Sequence, residues 1–120
     1  MENPFYIYKA KVVSVYDGDT ITVNIDLGFN TWIFNEKVRL NRINAPEVKG
    51  NSKKRGIESR DFLKSLILNK EILIETIKDK KEKYGRYLGE IYLKNENETI
   101  NVNDRLVEKG FAVYKKYWFS

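Results

Sequence analysis

The sequence predicts a mainly β fold with accessory helices, organised as a small five-stranded barrel. Three observations carry this. Three strand-like segments follow one another before any helix begins. One of them, residues 20–27, alternates strictly between apolar and polar side chains. Helical spacing is confined to two short stretches, 57–69 and 101–109. An open α+β sheet is the other architecture that this order allows.

Residues 11–16 form a run rich in β-branched residues, closed by the turn residues Asp17-Gly18-Asp19. In 20–27, Ile21, Val23, Ile25 and Leu27 share one face, while Thr20, Thr22, Asn24 and Asp26 share the other. That period of two marks a half-buried strand. Gly28 and the aromatic stretch through Trp32 and Phe34 lead by a long hairpin into a third strand, 36–43, with Val38 and Leu40 inward and Arg39 and Asn41 facing the other way. Asn44-Ala45-Pro46-Glu47 ends it, because proline lacks an N–H and restricts the residue before it. The polar, basic, glycine-bearing segment 48–56 is expected to be a mobile surface loop. A helix follows over 57–69, with Phe62, Leu63, Leu66 and Ile67 at helical spacing. Strands are expected at 71–77 and 86–93, separated by a charged turn at 78–83. In the second helix Asn101 is the N-cap, Asp104 its capping-box partner, and Val102, Leu106 and Val107 the apolar stripe. Gly110 supplies the left-handed stop, and 111–117 is a last extended segment.

With 120 residues, no internal repeat and no linker-like tract, residues 1–120 read as one domain, taken as a monomer. A chain of this size buries roughly two-thirds of its unfolded surface, enough for one modest core. No apolar run approaches the ~20 residues that span a bilayer, so no membrane is expected. The N-terminus is too polar and acidic for a signal peptide. As given the chain reads as cytoplasmic, with secretion only if a leader is missing. There is no cysteine and no histidine, which removes thiol nucleophiles, zinc hydrolase sites and the usual general base. Catalysis must then run on carboxylates, Lys, Arg and Tyr, and any metal site must be built from oxygen, which selects hard cations. The balance of 22 basic to 17 acidic residues, net +5, favours an acidic polymer as partner.

Four segments carry chemistry. Asp17 and Asp19 flank a glycine at a strand–strand turn and can point carboxylates at one cation; Asp-Gly is also a favoured hairpin turn. Arg39 stands on a strand, and Glu47 follows Pro46 just after it, so strand and loop hold the two near each other. Lys83-Tyr84-Gly85-Arg86 opens a later strand. The aromatic and basic tail, with Tyr114 and Tyr117, can stack bases and hold phosphates or close the edge of the core.

Acid turn, strand arginine, post-proline glutamate, helix and Tyr-Gly-Arg strand start occur here in that order. The pieces are 15–21 (VYDGDTI), 38–40 (VRL), 45–47 (APE), 83–86 (KYGR) and 101–112 (NVNDRLVEKGFA). Together they resemble the staphylococcal nuclease (thermonuclease) family, as a short phage or bacterial member. The resemblance covers about residues 10–114. It implies an OB-fold barrel and a calcium-dependent nuclease that cuts DNA or RNA endonucleolytically and leaves 3′-phosphate and 5′-hydroxyl ends. It also implies Asp19 as the main calcium carboxylate with Asp17 beside it, Asn44 where the family has a second metal-binding aspartate, and the Ala45 carbonyl completing the site. Arg39 and Arg86 match the phosphate-gripping arginines and Glu47 the proposed general base. Lys83, Tyr84, Tyr114 and Tyr117 are the substrate-binding candidates. Asn44 removes one negative charge from the implied metal site. The competing class is an OB-fold module that binds nucleic acid without cutting it.

Overall fold

The computed structural model describes residues 6–115. In chain order the elements are β1 (Ile7–Asp17), β2 (Thr20–Asp26), β3 (Trp32–Leu40), β4 (Ile43–Asn44), α1 (Lys53–Ile67), β5 (Glu71–Lys81), β6 (Tyr87–Lys94), β7 (Thr99–Asn101), α2 (Val102–Glu108) and β8 (Val113–Tyr114). The main sheet runs β3-β2-β1-β5-β6-β7. It closes because β3 also pairs with β6 in parallel, Val38 opposite Tyr87 and Leu40 opposite Gly89. The fold is thus mainly β with two helices around a closed five-stranded barrel, as the order of elements predicts, and β7 hangs outside the closure. Closure removes the sheet edges that an open α+β sheet would leave.

The alternation in β2 is realised at Ile21, Val23 and Ile25, which are buried in one cluster with Val12, Val38, Ile72 and Ile74. It is not realised at Leu27, which lies past the end of the strand and is 40% exposed. Helix α1 closes the barrel with Leu63 and Ile67, both fully buried. It has no side-chain N-cap bond, a loss of about 1 kcal/mol. Two buried branched side chains contribute about 1.5–3 kcal/mol each, so packing rather than capping fixes this helix. In α2 the cap is present: the Asn101 side chain accepts the Asp104 N–H at 3.0 Å. Gly110 adopts the expected left-handed φ of 82°. Among the described residues no helix is long and apolar enough to cross a membrane.

Three expectations require correction. The third strand does not run to 43; it stops at Leu40, Arg42 turns the chain with a φ of 68°, and Ile43–Asn44 pairs with β8 instead. Segment 48–56 is not a mobile loop. A 3-10 turn at Gly50–Ser52 leads into α1, which starts at Lys53. Gly56 and Ser59 are buried, and a Cβ on Gly56 would lie 2.0 Å from the Glu47 carbonyl oxygen. The helix is seated by a contact that depends on a missing side chain, which hydrophobic periodicity does not register. The charged turn at 78–83 is partly strand: β5 continues to Lys81 through a bulge at Lys78 and Asp79, which take φ of 53° and 54°. Asp79 holds the bulge by accepting the hydroxyls of Tyr8 and Thr76.

Candidate active site

The turn between β1 and β2 is packed rather than exposed. A Cβ on Gly18 would sit 2.8 Å from the Cβ atoms of both Ala45 and Ser59. Glycine is needed there for close approach, since Gly18 is not among the positive-φ residues. The approach carries Asp19 inward, where it is 5% exposed. Its Oδ2 accepts the Ala45 N–H at 2.8 Å and pairs with Arg39 Nη2 at 3.2 Å. Its Oδ1 accepts the Thr20 hydroxyl at 3.3 Å. Asp17, half-buried, accepts the Asp19 N–H at 3.1 Å. Burial, then the hydrogen bond and negative charge of Asp19, push the Asp17 carboxyl up to about 6.

Arg39 stands opposite Thr20 on β3 and is buried at 7% exposure. Nη1 donates to the carbonyls of Leu40 (2.9 Å) and Ile43 (3.0 Å), and Nη2 donates to Asn44 Oδ1 (3.1 Å). This guanidinium ties the β3–β4 corner to Asp19. Arg86 is less enclosed. Its fork grips Glu82 through Nε at 3.1 Å and Nη2 at 3.2 Å, and Nη1 reaches the Thr20 hydroxyl at 3.4 Å. The hydrogen bonds that Arg86 donates to Glu82 raise its pKa against the opposing effect of burial, and the charges of Glu82, Asp19 and Asp17 add to the rise. A cleft of about 430 Å³ is lined by Asp17 and Arg86 together with Ser14, Tyr16, Thr22 and Lys37.

Asp17, Asp19, Arg39, Asn44 and Ala45 are therefore joined by direct contacts or a shared turn, and Arg86 reaches them through Thr20. Glu47 lies two residues beyond Ala45 with an exposed carboxylate that makes no hydrogen bond or ion pair among the described residues. Its backbone carbonyl accepts the Ser52 hydroxyl at 2.9 Å. Tyr84 is exposed beside the site, with Arg86 Cζ 5.6 Å and Lys83 Nζ 5.1 Å from its ring centre. Tyr114 stands elsewhere. Its hydroxyl donates to Asp104 at 2.9 Å, in a cluster where Arg42 forks onto Glu90 at 2.6 and 2.9 Å. Tyr117 lies outside the described residues.

The implied ion is a hard cation, which takes oxygen donors. Two adjacent carboxyls, of which Asp17 holds its proton more tightly through burial and then through Asp19, suit such an ion. Asn44 and Ala45 are turned differently: the Asn44 amide oxygen faces Arg39, and Ala45 offers its N–H to Asp19. Among the described residues no three acidic side chains gather around one point. The acid pair supplies oxygen donors of the hard kind, while the Asn44 amide oxygen is held by Arg39.

Two contributors escaped the sequence reading. Glu82 Oε1 accepts the backbone N–H groups of Tyr84 (3.1 Å) and Arg86 (2.9 Å) as well as the guanidinium, so it builds the Tyr-Gly turn and aims Arg86. Its four-residue spacing from Arg86 across a glycine turn was the available signal. Thr20 links Asp19 to Arg86, and its place directly after the acid turn was the clue.

Comparison with known proteins decides the family. Residues 37–119 match the sequence model described as staphylococcal nuclease homologue. This chain belongs to that family. Its relatives include the thermonuclease of Staphylococcus hyicus, 34% identical with 89% of this chain and 59% of the relative covered. An uncharacterized protein of Methanocaldococcus jannaschii is 32% identical (88% and 58% covered). The micrococcal nuclease of Shigella flexneri is 28% identical (92% and 60% covered). The chain spans about three-fifths of the length of these relatives. Membership of the staphylococcal nuclease family accounts for the closed five-stranded barrel.

Proposed function

We propose that this chain is a calcium-dependent nuclease. It acts as a single-domain monomer that hydrolyses DNA or RNA endonucleolytically and leaves 3′-phosphate and 5′-hydroxyl ends. The observation that carries the reading is the convergence of two carboxylates and two guanidiniums on the β1–β2 turn, with Asp17 and Arg86 lining one cleft. The kinship with thermonucleases supports it.

Asp17 and Asp19 would hold the calcium ion, with Asn44 and Ala45 as further oxygen donors. Bound there, the ion supplies positive charge to the phosphoryl oxygens. Arg86 neutralises the charge that grows on those oxygens as water adds to phosphorus, and its fork suits two of them. Glu82 keeps that fork aimed before substrate arrives. Arg39 fixes Asp19 and the β4 corner, and its charge lies beside the same phosphate. Glu47, exposed and unengaged, takes the proton of the attacking water. The bond from phosphorus to the 5′ oxygen breaks, and the leaving oxygen collects a proton from solvent. Lys83 and Tyr84, beside Arg86, contact the flanking nucleotides.

The amide contact between Asn44 and Arg39 favours a second reading, a barrel that binds nucleic acid without cutting it. Incubation with single-stranded DNA in calcium, then in chelator, separates the two. Cleavage that stops on chelation is expected. Binding without cleavage in both conditions would establish the binding module instead.

A further inference from the structure

The apolar side chains that the barrel does not use collect on the β2–β3 hairpin. Trp32 and Phe34 are 43% and 64% exposed, and their rings stack 6.3 Å apart at 17°. They lie on the outer surface of the sheet, because Ile33 between them pairs with the buried Ile25 and faces inward. An exposed aromatic pair adds little to the core and leaves apolar area in water, at about 25 cal/mol per Å².

The same outer surface leads to the acid pair. Along β3, Trp32 stands opposite Asp26, Lys37 opposite Thr22, and Arg39 opposite Thr20. Thr22 and Lys37 line the cleft that contains Asp17 and Arg86. About 20 Å of strand separates the aromatic pair from Arg39. On β1, the exposed Lys9 and Lys11 stand opposite Asp26 and Asn24. The acid in this row, Asp26, has its carboxylate engaged by the Gly28 N–H at 2.8 Å.

We propose that Trp32 and Phe34 form a base-stacking subsite for single-stranded nucleic acid, whose backbone follows Lys37 and Thr22 to the acid turn. Stacking suits unpaired bases because each exposes its ring face, and every base has one. An anionic membrane would also attract the lysines, but a flat lipid surface does not follow the strip into the cleft that Lys37 and Thr22 line, and a second copy would set like charges against each other. The route toward the acid turn rests on the nuclease reading, whereas binding at the pair does not require cleavage.

The test uses the full chain with Trp118→Phe, so that Trp32 is the only tryptophan of the two in the sequence. A single-stranded oligonucleotide is titrated in chelator while Trp32 emission is followed. Quenching is expected with single strands and much less with a blunt duplex. Trp32→Ala and Phe34→Ala should each weaken oligonucleotide binding about tenfold, and Trp32→Phe should recover most of the loss. The gain in affinity from a dinucleotide to the long oligonucleotide should shrink in the alanine variants. Unchanged affinity in Trp32→Ala, or equal quenching by duplex, would overturn the subsite. So would self-association seen by sedimentation that Trp32→Ala abolishes while oligonucleotide binding stays intact. Quenching by a protein that cuts nothing in calcium would uphold the subsite and sink the nuclease reading, so the two failures stay distinct.

Discussion

Asp17 carries a conflict that a cation would relieve. Burial and the neighbouring Asp19 charge raise its pKa to about 6, so in the folded protein it is uncomfortable as a carboxylate. A carboxyl whose folded pKa lies above its unfolded value destabilises the fold where it is ionised, and the penalty vanishes once both states are protonated. Asp17→Asn should therefore stabilise the metal-free protein above about pH 6, with the advantage closing toward about pH 4. The undiscounted shift corresponds to about 3 kcal/mol; solvent screening at this half-buried position reduces it to about 1 kcal/mol. Urea unfolding in chelator at the two pH extremes measures it, and an advantage that is equal at both would show that ionisation is not the cause. If Asp17 is the ligand proposed, calcium should reverse the order. Asn44→Asp tests the other side of the proposed site: a third carboxylate beside Asp17 and Asp19 should tighten calcium binding about tenfold. Calorimetric titration would show it, and unchanged affinity would mean that residue 44 serves Arg39 alone.

At the scale of elements, what could be read from the sequence follows from what periodicity encodes. The alternation of Ile21, Val23 and Ile25 gave β2, and the spacing of Leu63 and Ile67 gave the core of α1, because apolar side chains announce the face they bury. The start of α1 was not legible, since it is seated by Gly56 against the Glu47 carbonyl. The break at Arg42 and the bulge at Asp79 escaped for a similar reason: each is a non-glycine residue held at positive φ by partners distant in sequence. At the site, residue types were legible but burial was not. The strand–strand turn gives Asp19 its place but not its partners: it accepts from Ala45 and Arg39, so Asp19→Ala removes structure together with any metal ligand. The contact at Gly56 yields its own prediction. Gly56→Ala must push α1 away from the segment bearing Glu47, costing about 1–3 kcal/mol and lowering kcat by moving that carboxylate. Thermal unfolding and steady-state rates would check it; wild-type stability in the variant would mean that the helix shifts freely.

Across the whole molecule, the nuclease proposal divides charge into groups that would touch the reacting phosphate and groups that would only attract the polymer. Arg39 is a poor probe of this division. Its guanidinium holds two backbone carbonyls and Asp19, so Arg39→Ala confounds catalysis with folding. Arg86 is the cleaner one, since it is clamped by a single acidic residue at the cleft and its loss leaves the barrel ladder intact. If it stabilises charge that grows in the transition state, Arg86→Ala should lower kcat by about two to three orders of magnitude. Glu82→Gln, which loosens the aim without removing the cation, should fall between. Lys53 and Lys54 occupy the exposed first turn of α1, away from the ladder that holds Asp19. Replacing either should weaken substrate binding and reduce the slope of log affinity against log salt by up to about 1, with kcat nearly unchanged. Kinetics of the four variants at two salt concentrations would separate the groups. Were Arg86→Ala to change only the salt dependence, as the lysine variants do, Arg86 would belong with the attracting charges and the proposed cleft would lose its catalytic cation.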